Sequence, residues 1–119
     1  MKIPNAHIQL IKEVAKVNPN VVVVLMGGSP MELDFADDVK GMLLAYLGGQ
    51  GVGRAVFDLL YGNAVPSGKL AETWGYRLED NPTANCYLGG RTSVYYKESI
   101  FVGYRYYETA KKPVRYPFG

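Results

Sequence analysis

Val21-Val-Val-Val-Leu-Met26 is the feature that most constrains this chain. An unbroken β-branched run, bounded by Asn20 on one side and Gly27-Gly28 on the other, has no polar face. Such a run fits a central strand of a parallel sheet, covered by helices on both sides. The flanks agree. Residues 5–17 read as a helix with Asn5 as N-cap and Ile8, Ile11, Val14 and Ala15 on one face. Asn18-Pro19 stops it, because the residue before proline is pushed out of the α region. Met42-Leu-Leu-Ala-Tyr-Leu47, short and set between Gly41 and Gly48-Gly49, reads as a second buried strand. Between them, Met31–Lys40 is acidic and mixed, with room for one or two helical turns.

Gln50–Tyr61 carries the clearest helical pattern. Val52, Ala55, Val56, Leu59 and Leu60 form one stripe, Arg54 and Asp58 an i,i+4 pair, and Gly62 stands where a left-handed C-cap belongs. After the turn at Pro66-Ser67-Gly68, Lys69–Trp74 reads as a third strand, residues 75–93 as a long loop, and Ser93–Tyr107 as extended. The fold class is α/β: a mostly parallel sheet flanked by helices, a partial α/β sandwich, with an irregular aromatic-rich C-terminal extension. Residues 1–119 are expected to form a single partial domain whose Tyr/Arg-rich tail spans 94–119.

Composition removes whole classes of function. At 48% hydrophobic, with 13 Lys+Arg against 11 Asp+Glu, the chain is suited to a packed core rather than to disorder. The longest apolar runs fall far short of the ~20 residues of a membrane span, and the N-terminus reads as an amphipathic helix rather than a signal peptide. That favours a cytoplasmic location and no membrane partner. A net charge of +2 gives no electrostatic case for nucleic acid. One cysteine, Cys86, and one histidine, His7, leave no disulfide framework, no His-dependent triad and no metal site of the His/Cys kind. Neither a metal nor a cofactor is expected.

The individual motifs mostly have plain readings. Gly48-Gly49-Gln50-Gly51-Val52-Gly53 lies between a strand and a helix N-terminus, but Arg54 stands where a dinucleotide fingerprint needs its third glycine. Gly62 to Gly68 is one residue too long for a phosphate loop, with Leu70 where Ser or Thr is required. These glycines therefore serve tight turns and close packing. Gly27-Gly28-Ser29-Pro30-Met31 lacks the closing glycine of a nucleophile elbow. Asp34, Asp37 and Asp38 read as a solvated face, and Glu79-Asp80 as turn residues. Glu98, between Tyr95-Tyr96 and Ile100-Phe101, is the carboxylate whose surroundings could desolvate it. From Arg91 to Gly119 there are six basic residues and six of the ten tyrosines, a mixture suited to single-stranded nucleic acid, sugars or another protein domain.

Taken in order, these segments resemble the C-terminal α/β domain of glycoside hydrolase family 3, which includes many β-glucosidases. The resemblance rests on Asn18–Leu25, Gly28-Ser29-Pro30, Ala45–Gly51, Asp58–Gly62, Pro66–Leu70, Val94–Tyr107 and Tyr116–Gly119, and so covers nearly the whole chain. Ala71, Trp74 and Gly75 depart from it, standing where a proline-bearing segment is common. It implies a parent enzyme that hydrolyses O-glycosidic bonds with retention, acting on a β-glucoside or oligosaccharide. The nucleophilic Asp would lie on a separate (β/α)8 barrel domain, and the acid/base Glu in a Ser-Gly-Glu-Gly-Tyr-like stretch that this sequence does not contain. On that footing none of these residues is catalytic, the barrel domain is the partner, and the chain is a piece of a larger enzyme. As an isolated piece it is expected to be inactive, and to expose apolar surface through which copies can self-associate. The alternative is a small non-catalytic α/β binding module that uses its basic-aromatic tail for a polymer or protein partner.

Overall fold

The first helix, α1, spans Asn5–Val17. It starts without the side-chain cap expected of Asn5: Pro4 occupies the cap position at φ −53° and ψ 135°. The Pro4 carbonyl accepts the first helical bonds, from His7 N (2.9 Å) and Ile8 N (3.2 Å). Proline's fixed φ sets the entry that a capping side chain would otherwise select. At the other end Asn18 turns extended, and its Oδ1 accepts the Asn20 amide at 2.9 Å, steering the chain into the first strand. The computed structural model describes residues 2–87 and 89–119. They group into two compact units, Lys2–Gly68 and Lys69–Gly119.

In the first unit, β1 (Val22–Leu25) and β2 (Gly41–Leu44) form a two-stranded parallel sheet, registered from Val22 opposite Gly41 to Leu25 opposite Leu44. The parallel pairing is as the sequence suggests, with shorter strands. β2 stops at Leu44 rather than Leu47 because Tyr46 takes φ +46°, which no strand residue can hold. The segment expected to form a helical turn or two makes only turns, closed by Ala36 N to Leu33 O (3.0 Å) and Asp38 N to Phe35 O (2.9 Å). Leu33 and Phe35 are both buried, two residues apart, and a helix would place them on opposite sides. With Leu25 they form the buried centre of this unit, Phe35 being fully enclosed.

A three-residue 3₁₀ turn, Gly49–Gly51, leads into α2 (Val52–Leu60). Val52, Val56 and Leu59 are half-buried, whereas Ala55 and Leu60 of the expected stripe are exposed. Arg54 Nε donates to Asp58 Oδ2 at 2.8 Å, the expected i,i+4 pair. Gly62 adopts φ +76° just past the helix end, as a left-handed cap requires.

In the second unit a short 3₁₀ turn, Leu78–Asp80, precedes a third α-helix, α3 (Tyr104–Thr109). Two expectations are corrected here. Lys69–Trp74 is not a strand of the parallel sheet: only Trp74 bridges, antiparallel, to Tyr116. Thr73 and Trp74 are buried side by side, which the two-residue alternation of a half-covered strand does not allow. Nor is Ser93–Tyr107 extended throughout. Gly103 turns at φ +61° and the chain becomes helical from Tyr104, because Tyr104 and Tyr107 are spaced to share a helical face and Tyr107 is buried.

Two segments are zipped together at the end of this unit. Trp74 N donates to Tyr116 O (2.9 Å), Arg115 N to Trp74 O (2.8 Å), and Gly119 N to Leu70 O (3.1 Å). Phe118 N donates to Thr73 Oγ1 at 3.2 Å. Trp74 is only 2% exposed, and its indole Nε1 is buried without a partner among the described residues.

Burial raises the Tyr107 phenol above its ordinary value of 10.0, with Asp80, Tyr106 and Glu72 adding in the same direction. Below pH 10.0 both folded and unfolded states hold the proton, and the contribution to stability is intact. As pH rises further the unfolded chain ionises first, so stability falls until the folded phenol also titrates. The unfolding midpoint in urea should therefore drop more steeply above pH 10.0 for the native chain than for Tyr107→Phe. Parallel curves for the two proteins would show that Tyr107 is not desolvated.

Candidate functional site

In open α/β sheets ligands and partners meet the carboxyl ends of the strands. Here that edge is built by two turns, Met26–Ser29 after β1 and Ala45–Gly49 after β2. They are tied together beyond the last strand residues: Ala45 N donates to Leu25 O at 2.9 Å, and Gly27 N to Tyr46 O at 3.2 Å. Tyr46 is held in the left-handed region at φ +46°, a conformation that costs a non-glycine residue of order 1–3 kcal/mol. That strain has no signal at the level of sequence, since nothing in the run Met42–Leu47 distinguishes Tyr46 from its neighbours.

The glycines at this edge do what their failed motif spacing implies. A Cβ on Gly48 would stand 2.6 Å from Val52 Cγ2, and one on Gly27 3.1 Å from Met31 Cε. Gly49 sits at φ +62°. They make close approaches and a tight turn at the entry to α2. Two apolar side chains project from the same edge, Met26 at 57% exposure and Leu47 at 79%. The edge is thus backbone-rich and apolar, with Ser29 exposed beside it and no carboxylate in either turn.

The other residues singled out from sequence are scattered. His7 is exposed on α1, and Cys86 is a free thiol, half-buried. Asp34, Asp37 and Asp38 are exposed, with Lys12 Nζ at 3.9 Å from Asp38. Asp80 Oδ2 accepts the Arg77 amide at 2.9 Å, a turn role as expected. Glu98 is half-buried, and its carbonyl accepts the Phe101 amide at 2.8 Å. Tyr95, Tyr96 and Ile100 around it are mostly exposed, so the aromatic company does not enclose it. Among the described residues no group of three or more His, Cys, Asp or Glu is placed to hold a metal ion. No helix there is long and apolar enough to cross a membrane.

Comparison with known proteins places this geometry. Residues 1–104 match the glycosyl hydrolase family 3 C-terminal domain. All 119 residues align with thermostable beta-glucosidase B of Acetivibrio thermocellus at 50% identity, covering 16% of that protein. The beta-glucosidase of Kluyveromyces marxianus is 41% identical over the whole chain, which covers 14% of it. Its crystal structure in complex with glucose superimposes on 99% of this chain with a TM-score of 0.96. The family 3 beta-glucosidase of Bifidobacterium adolescentis, 43% identical, superimposes on 98% of the chain and 18% of its own length, with a TM-score of 0.94. The chain thus spans about a seventh to a sixth of the curated relatives it matches. A free-standing binding module is not favoured by these matches.

Gly48→Ala should destabilise the chain by about 1–3 kcal/mol in urea unfolding, since the added methyl meets Val52. Gly51→Ala, with open space around it and φ −82°, should change stability by under about 1 kcal/mol. Equal effects at the two positions would contradict the close approach.

Proposed function

Since the chain belongs to the glycosyl hydrolase family 3 C-terminal domain, we propose that it works as part of a β-glucosidase-type enzyme that hydrolyses O-glycosidic bonds with retention. Its contribution is scaffold and domain interface rather than the catalytic centre. The single observation that carries this is the collinear match, at 50% identity and without remainder, to a stretch of a thermostable beta-glucosidase. One of the structural relatives was crystallised with glucose, in keeping with a glucoside as substrate.

Retaining hydrolysis needs a nucleophilic carboxylate and an acid/base carboxyl group roughly 5–5.5 Å apart. On this reading both lie outside residues 1–119. The exposed Asp34, Asp37 and Asp38 remain solvated, and Glu98 belongs to a backbone turn. What the chain offers instead is a rigid apolar edge. Met26 and Leu47 stand at the carboxyl ends of the strands, and the tied turns beneath them fix their positions. That edge would meet the (β/α)8 barrel domain and help to shape the cleft between barrel and sheet. The exposed side chains of Val94, Tyr95, Tyr96, Ile100, Phe101 and Val102 in the second unit are a further apolar surface of the kind that domain interfaces cover.

The purified 119-residue chain should not hydrolyse a chromogenic aryl β-glucoside above the buffer rate. Turnover that disappears in Glu98→Gln would overturn the proposal, because it would place an essential carboxylate inside this chain.

A further inference from the structure

The sheet of the first unit has one edge that its own sequence leaves unprotected. β1 pairs with β2 alone, so among the described residues its opposite side has no strand beside it. The carbonyls of Val21 and Leu25 accept from Lys40 N (2.8 Å) and Ala45 N (2.9 Å) on the β2 side. Backbone direction alternates along a strand, so the N–H and C=O groups of Val22 and Val24 face outward. Neither residue makes a backbone bond outside the β1–β2 ladder among the described residues.

Soluble proteins blunt such an edge with a lysine, a proline, a bulge or a covering segment. β2 has some of this protection: it begins at Gly41, and Asp37, Asp38 and Lys40 lead into it. β1 has none. Val21–Met26 holds no charge, proline or glycine, and the nearest charged residues along the chain are Lys16 and Glu32. Such short β-branched, uncharged segments add readily to copies of themselves. Val22 and Met26 are also 50% and 57% exposed.

The chain exposes more surface than a self-sufficient monomer needs. Its accessible surface is 8860 Å². A compact monomer of 13.1 kDa would expose about 6,400 Å². Dividing that mass between two separate bodies raises the figure only to about 7,700 Å². The remainder exceeds the ~800 Å² that each partner buries in a stable interface.

We propose that the outer edge of β1 is a self-association surface, at which a second copy of this chain adds its own β1, antiparallel and about a two-fold axis. In that register Val22 of each copy lies opposite Val24 of the other, and the outward donors and acceptors are exchanged. The sheet then runs continuously from β2 through both β1 strands to the second β2. A second copy suits the edge because the edge complements itself. It is uncharged, so nothing repels its own image, and a net charge of +2 adds little repulsion between copies. The inference rests on the strand edge alone and holds whether or not the parent enzyme is a β-glucosidase.

The test is sedimentation velocity of the full chain across micromolar concentrations, with far-UV circular dichroism to check the fold of each variant. The native chain should sediment as a reversible dimer. Val24→Pro removes one outward donor per copy and leaves the ladder to β2 intact, so it should weaken the dimer about tenfold. Val22→Lys puts a charge on the edge at a half-exposed position and should give a monomer. It keeps the test available if Val24→Pro loses its fold. Leu10→Lys, on α1 at 64% exposure and away from the edge, should remain dimeric. A monomer at every concentration, growth into open-ended assemblies, or a dimer untouched by Val22→Lys or by a folded Val24→Pro would overturn the proposal. So would a dimer lost in Leu10→Lys.

Discussion

The hydrogen bonds that continue the parallel pairing past its last strand residues are the constraint on which the first unit depends. Two four-residue strands are too few to hold a sheet by themselves. Ala45 N to Leu25 O and Gly27 N to Tyr46 O extend the ladder into the turns, and Tyr46 accepts a strained backbone as a consequence. With the turns fixed, Gly48 can approach Val52, and α2 starts at a defined place directly after the Gly49–Gly51 turn. The apolar groups at the edge, Met26 and Leu47, are then presented by a rigid frame even though neither is buried.

The second unit is held differently, by a backbone zipper and one buried aromatic face. Residues 70–74 and 115–119 exchange backbone bonds around Trp74, while Tyr107 anchors α3. Secondary structure is sparse there, and the order comes from specific side chains: Trp74, Thr73 as an acceptor, and Tyr107. This arrangement leaves aromatic and charged groups facing a groove instead of a continuous core.

Much of the first unit was legible in the sequence because periodicity and local chemistry agree there. Val21–Met26 reports a strand with a parallel partner, and the Arg54–Asp58 pair and Gly62 report preferences that the fold satisfies. The central, doubly covered position expected of that strand is not met, since the sheet has two strands and only Leu25 of the run is buried. α1 forms without burying its stripe. The misreadings have physical causes. Asn5 has a capping side chain, but Pro4 already fixes the helix entry. Lys69–Trp74 and Ser93–Tyr107 carry β-branched and aromatic residues, and β-propensity reports fit to a pleated surface only where a neighbouring strand exists. The candidate site was legible in part: the glycines marked the carboxyl edge, while the strain at Tyr46 depends on a cross-turn bond that no local pattern encodes. The groove of the second unit joins residues 73, 104–114 and 117–118, a separation beyond the reach of sequence spacing. The resemblance to glycoside hydrolase family 3, by contrast, came from short motifs in a fixed order, and residues 1–104 match that family's C-terminal domain.

The most direct test of the central claim, that these residues are the non-catalytic frame of a β-glucosidase domain, is an exchange. The aligned stretch of the Acetivibrio thermocellus enzyme, 50% identical, is replaced by this chain, and hydrolysis of an aryl β-glucoside is measured. The account predicts a folded chimera that retains turnover, because the reacting carboxylates come from the recipient and this chain supplies only the frame and interface. A chimera that folds with the recipient's thermal stability yet shows no turnover would contradict it.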